Sequence, residues 1–108
     1  MRGMAYNYAV TKHGAAVELY IDRGAEPENK EIFDRFQKGR KEIEGLFGDE
    51  LEWQRLDEKR ACRIRKSSHI GGYRDEEKWP EIFKDLVDAM MRLEQAISPF
   101  IGQMKSVA

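Results

Sequence analysis

The sequence has a single cysteine, Cys62, so no disulfide can form within the chain, and only two histidines, His13 and His69. None of the three stands at the two-to-five-residue spacing of a zinc site, and neither a metal nor a cofactor is expected. Charge of one sign is also missing: 19 Lys and Arg balance 20 Asp and Glu, for a net charge of -1. That excludes the whole-protein field of a histone-like binder, so any nucleic-acid surface must be local. No uncharged apolar run approaches ~18 residues, so no membrane span is expected. No charged-then-apolar leader precedes the first strand pattern, which makes a cytoplasmic protein the expectation. The sequence also lacks G-x-S-x-G, a P-loop and a dinucleotide-binding glycine pattern, and its carboxylates have basic neighbours or solvated positions. An enzyme is not the expectation.

What is present reads as one α+β domain over residues 1–108, a length that can bury roughly two-thirds of its unfolded surface. The centre of the chain is residues 29–56. Ile32, Phe33, Phe36, Ile43, Leu46 and Phe47 recur at helical spacing, and Glu31/Arg35, Asp34/Lys38 and Arg40/Glu44 stand at i,i+4 on the charged side. The spacing predicts one helix over residues 29–47, with Pro27 near its first turn, Asn29 as its cap and Gly48 as its stop. Gly39 falls inside it and is expected to mark close approach to another backbone. Leu51 and Trp53 then alternate with Glu52 and Gln54, which predicts a strand over 51–56 with Leu51 and Trp53 facing the core.

Alternation over residues 4–10 and 15–22, separated by Lys12-His13-Gly14, predicts a hairpin. Asp57-Glu58-Lys59 is a polar turn leading to a strand over 61–67, so 51–67 is a second hairpin. Residues 68–78 have a Gly71-Gly72 pair and charges, and read as a flexible loop in which an anion-holding nest is the less favoured alternative. Trp79, Ile82, Phe83, Leu86, Val87, Met90, Leu93 and Ile97 form an apolar stripe on a last helix. Pro99 is expected to kink or end it near Ser98, with Phe100, Ile101 and Met104 folding back.

The order β-β-α-β-β-α implies a four-stranded antiparallel sheet with two helices on one face. The open face would carry Asn7, Glu18, Tyr20, Asp22, Glu52, Gln54, Arg63 and Arg65. One asymmetry stands out. Residues 55–66 hold six basic side chains (Arg55, Lys59, Arg60, Arg63, Arg65, Lys66) against two acidic ones, whereas 75–98 hold seven acidic against three basic. A basic hairpin can follow a phosphate backbone, so those six residues are the candidate contacts for DNA or RNA, with Tyr20 or Tyr73 available to stack. The bland alternative is a solvated hairpin whose arginines pair with Glu18, Glu52 or the last helix. A second functional class is a protein-interaction domain that forms a homodimer through the open sheet face or docks on a partner.

The runs K-E-I-F-D-R-F from Lys30, K-E-I-E from Lys41, G-D-E-L-E-W-Q-R-L from Gly48 and R-A-C-R-I-R from Arg60 carry a resemblance. Together with V-E-L-Y-I from Val17 and W-P-E-I-F from Trp79, they resemble a family of uncharacterised prokaryotic domains with a G-x-x-L-x-W-x-R-L signature. Members of that family often follow restriction-endonuclease-like nuclease domains. The resemblance implies an accessory role in DNA processing or defence, with a nuclease domain or subunit as a partner. The acid-acid-lysine run Asp57-Glu58-Lys59 falls in a turn, not on the strand that a nuclease metal site requires, so any nuclease activity would lie outside these residues.

Overall fold

In the computed structural model the backbone is described for residues 3–107 and side chains for residues 3–102. The first hairpin is β1 (Met4–Val10) and β2 (Ala15–Ile21), followed by α1 (Glu26–Lys38) and α2 (Arg40–Phe47). The second hairpin is β3 (Glu52–Gln54) and β4 (Cys62–Ser68). A single 3-10 turn at Glu76–Lys78 then leads into α3 (Trp79–Val107). All pairings are antiparallel in the order β1-β2-β4-β3, so the two long inner strands come from different hairpins. The fold is α+β, as its alternation pattern implies.

Strand parity follows the sequence. Tyr6, Leu19, Ile64 and Trp53 lie side by side in register on the helix-covered face. The core joins Val17, Leu19, Ile21, Cys62 and Ile64 of the sheet to Phe33, Phe36, Ile43 and Phe47 of α1 and α2 and to Ile82, Leu86, Leu93 and Ile97 of α3. Trp53 is half-buried at the edge of this core, edge-to-face against Phe33 at 6.1 Å. Its Nε1 donates to Glu44 Oε2 at 3.1 Å, and the Arg40 guanidinium lies 5.9 Å from its ring.

Several expectations for the helices and loops are corrected. The central helix is two helices joined at Gly39, whose N–H bonds to the Phe36 carbonyl at 2.9 Å. A Cβ at Gly39 would stand 2.5 Å from the Phe100 ring, so the close approach expected there is to a side chain of α3, not to backbone. The helix begins at Glu26, with Pro27 in its first turn and Ala25 before it. Asn29 does not cap it, because its side chain is buried and bonded elsewhere.

Pro99 lies inside α3, which runs on through Phe100 and Ile101; the side chain of Met104 lies outside the described residues. The missing proline N–H costs a backbone hydrogen bond. Against that, Phe100 and Ile101 pack on the core, and Ser98 Oγ donates to the Glu94 carbonyl at 2.6 Å.

The loop after β4 is docked. Tyr73 and Arg74 donate their N–H groups to the Thr11 and Lys12 carbonyls at 2.9 and 3.2 Å. A Cβ at Gly72 would collide with the backbone of Thr11, His13 and Gly14, so glycine is needed there for close approach rather than for flexibility. The Asp75 carboxylate accepts from the Gly72 N–H at 2.9 Å, filling the place an anion would take. Among the described residues no helix is long and apolar enough to cross a membrane.

Candidate functional site

The six basic residues singled out in the second hairpin do not form one surface. Arg63 and Arg65 share the open sheet face, opposite Gln54 and Glu52 on β3 and Tyr20 and Glu18 on β2. Lys66 has the opposite parity and reaches Asp49 Oδ2 at 2.8 Å. Arg55 turns under the loop to α1, where its Nε and Nη2 donate to the two Asp34 oxygens at 2.9 and 3.1 Å, and its Nη1 donates to Asp57. Arg60 reaches back to Asp22 at 2.7 Å.

Most of this charge is therefore neutralised within the protein. The hydrogen bonds that Arg55 donates to Asp34, then to Asp57, push its pKa up and hold the guanidinium charged. The reciprocal bonds from Arg55, Arg60 and Lys66 hold Asp34, Asp22 and Asp49 below the usual carboxylate range. Arg63 Nε lies 3.7 Å from Glu18 Oε2, an ion pair by distance without a hydrogen bond. Lys59 and Arg65 form no ion pair among the described residues. The acids that neutralise the hairpin come from β2, α1 and the loops, none of them from the last helix.

Two residues absent from the sequence-based candidates organise this region. Lys30, buried on α1, donates from Nζ to the carbonyls of Arg55, Leu56, Lys59 and Ala61 at 2.6, 2.8, 2.7 and 3.2 Å, and to Cys62 Sγ at 3.4 Å. Its ammonium takes the place that a coordinated cation would have inside the loop. Leu56 has φ of 53°, a left-handed conformation that a leucine rarely adopts, and its carbonyl points at Lys30. Asn29 Oδ1 accepts from the Arg23 N–H at 2.7 Å, while Nδ2 donates to the Arg60 carbonyl at 3.1 Å and to Asp22 at 3.3 Å. Neighbouring residues of one helical turn thus clip both hairpins together. A buried lysine beside the buried Cys62 resembles an activated thiol in outline, but burial is the largest influence on this thiol and pushes its pKa up.

Three clefts bring polar side chains together. The groove of about 710 Å³ between α1 and the second hairpin is lined by Lys30, Glu31, Asp34, Arg35, Lys38 and Arg55, whose acids are already committed to Arg35 and Arg55. A cleft of about 440 Å³ holds Asp22, Arg23 and Glu28, where Asp22 is bound to Arg60 and Glu28 pairs with Arg23. A smaller one of about 310 Å³ is lined by His13 and His69 together with Arg65, Ser67 and Ser68, a grouping that spacing along the chain does not reveal. Among the described residues no group of three His, Cys, Asp or Glu side chains is placed to hold a metal.

The apolar stripe of α3 divides in two. Ile82, Leu86, Met90, Leu93 and Ile97 are buried, but Phe83, Val87 and Met91 are 54%, 51% and 57% exposed along one line at i,i+4,i+8, with Trp79 at its head. Half a turn round the helix from Phe83, Arg92 stacks over Phe47 at 4.5 Å and donates to its carbonyl at 3.2 Å. The exposed line thus lies on the flank away from α2. That is the side of β1, whose Tyr8 and Val10 are 53% and 42% exposed. Five large apolar side chains from two elements stand in solvent on one flank, whereas the open sheet face carries Ala5, Asn7, Ala9 and paired charges.

A family model described as a domain of unknown function, DUF4268, matches residues 1–101. No curated protein and no solved structure matches the chain.

Proposed function

The chain belongs to the DUF4268 family, and from that premise we propose that it is a non-catalytic accessory module that binds protein through the flank built by β1 and the outer side of α3. One observation carries the reading: Tyr8, Val10, Phe83, Val87 and Met91 are all exposed, while most of the charge of the basic hairpin is spent on internal partners. Large apolar side chains left in water mark an interaction site, and since each of these is about half exposed, covering it would gain on the order of 1 kcal/mol. The resemblance to domains that follow restriction-endonuclease-like nucleases supports a nuclease domain or subunit as one class of partner, with a role in DNA processing or defence. A photo-reactive residue at Val87 tests the surface inside the producing cell. Covalent protein adducts are expected from that position and not from Glu58 on the exposed loop. An absence of adducts from position 87 overturns the reading.

A second reading is contact with DNA or RNA, favoured by Arg63 and Arg65 on one sheet face and by Arg65 and Lys59 forming no ion pair among the described residues. Glu18 and Glu52 on the same face balance the two arginines, so binding should be weak, sequence-tolerant and limited to a log-log salt slope of no more than about minus two. A mobility shift at ~50 mM salt that disappears with glutamate at positions 63 and 65 is the expected result. No shift at that salt, where phosphate contacts are strongest, removes this reading.

A further inference from the structure

β1 is the outermost strand on its side of the sheet, and its free edge can be read from the hydrogen bonds that bracket it. The Asp22 N–H bonds to the Gly3 carbonyl at 2.7 Å and the Thr11 N–H to the Gly14 carbonyl at 2.8 Å, so the odd-numbered residues between them turn their polar groups toward β2. Met4, Tyr6, Tyr8 and Val10 therefore present their N–H and C=O groups outward. Natural edge strands are usually guarded by charge, proline, a bulge or short length. β1 has seven residues, M-A-Y-N-Y-A-V, with no charged residue and no proline. The opposite edge is guarded: β3 has three residues and begins with Glu52.

The same seven residues read almost alike in both directions about Asn7. Tyr6 mirrors Tyr8, Ala5 mirrors Ala9, and Met4 mirrors Val10. We propose that β1 pairs antiparallel with β1 of a second copy of this chain across a two-fold axis at Asn7, giving a continuous eight-stranded sheet. This rests on the reading of the β1 and α3 flank as a protein-binding surface and names its occupant.

Three features select this occupant and register. An isologous interface must be self-complementary, and this strand is: each residue meets its like on the same sheet face. The outward groups have the right parity, since Tyr6 meets Tyr8 and Met4 meets Val10 as hydrogen-bonded pairs, while Asn7 meets Asn7 as the non-bonded pair at the axis. A two-fold perpendicular to the sheet also keeps the helices of both copies on one face. The two β2 strands then lie three strand spacings apart, about 14 Å. An α-helix with its side chains is about 10–12 Å across. The two α3 helices therefore run antiparallel above the paired β1 strands, with their outer flanks turned toward each other.

The test uses the full chain in sedimentation equilibrium and in cross-linking. Wild type should sediment at twice 12.6 kDa at hundreds of micromolar and dissociate on dilution. Asn7→Lys sets two like charges opposite each other at the axis, and Tyr8→Pro removes an outward N–H that the monomer does not use. Both should sediment as monomers with an unchanged circular dichroism spectrum. Asn7→Cys should form a covalent dimer under mild oxidation, because a non-bonded antiparallel pair places Cα atoms within the ~4.4–6.8 Å a disulfide spans. Ala9→Cys should not, since its partner position is Ala5. A monomeric wild type at the highest concentration, or cross-linking at position 9 as fast as at position 7, overturns the proposal. If the wild type is monomeric while Val87 still yields adducts with another protein, the flank reading survives and only the second-copy assignment falls.

Discussion

The two hairpins are built on opposite principles. The outer strand of the first, β1, is long and uncharged, and it is held by β2 and by the apolar contacts of Met4 and Tyr6. The outer strand of the second, β3, is only three residues long, yet the loop beside it is gripped by Lys30, Asn29, Arg55 and Arg60. One edge is short, and the loop that follows it is stabilised by side chains reaching in from α1. The other keeps its backbone groups free. Where a sheet spends polar side chains on one margin and none on the other, the bare margin is the candidate for association.

The largest effect that would break this contrast is at Lys30. Lys30→Met leaves the Arg55, Leu56, Lys59 and Ala61 carbonyls without their common donor, and the cost should be roughly 3–5 kcal/mol, read by chemical denaturation. An unchanged midpoint would mean that the loop holds itself. Trp53→Ala should cost about 3 kcal/mol, the low end for a large aromatic because the ring is half-buried, while Tyr8→Ala on the opposite edge should stay within about 0.5 kcal/mol. Comparable losses at both positions would show that the edges are equally anchored.

Acid should loosen the second hairpin first. Burial would push the Glu44 carboxyl up, but the Leu51 N–H, the Trp53 indole and Arg40 outweigh it and hold the pKa low; Asp22, Asp34 and Asp49 are lowered by their basic partners. Groups with depressed folded-state pKa values stabilise fully above their unfolded values and lose that contribution as pH falls through the folded ones. The thermal midpoint should be flat from about pH 8 to 5 and fall below about pH 4. The near-ultraviolet signal of Trp53 should change before the β1 amides lose exchange protection. The smallest change is Leu56→Gly, which relieves a left-handed leucine and should raise stability by up to about 1 kcal/mol if Lys30 continues to hold the carbonyl.

Sequence pattern made the sheet and its parity legible because alternation is a local signal. Tyr6, Leu19, Trp53 and Ile64 each fall on the face their neighbours imply. Pattern failed where a polar residue works over long range. Asn29 reads as a cap and Lys30 falls outside the apolar positions of the helix, yet their partners lie at positions 22, 23 and 55–62, beyond any helical repeat. The basic window of residues 55–66 has the same weakness, since Asp22, Asp34 and Asp49 lie outside it in sequence and against it in space. Periodicity also joined Phe83 and Val87 to the buried stripe of α3. The stripe is wider than the face the sheet covers, and only the packing shows which margin stays in water. The mirrored β1 was visible in the sequence throughout, but its meaning depends on β1 lying at an edge.

Strand order has a consequence during synthesis. β2 finds its second neighbour only in β4, so after the first hairpin has left the ribosome it must wait for residues 62–68. At translation rates of about 5–20 residues per second that interval lasts on the order of seconds, long against the microseconds in which a hairpin forms. Throughout it the first hairpin has both of its margins, β1 and β2, without a further strand beside them. Closure by β4 then covers β2 and leaves β1 at the margin of the finished sheet.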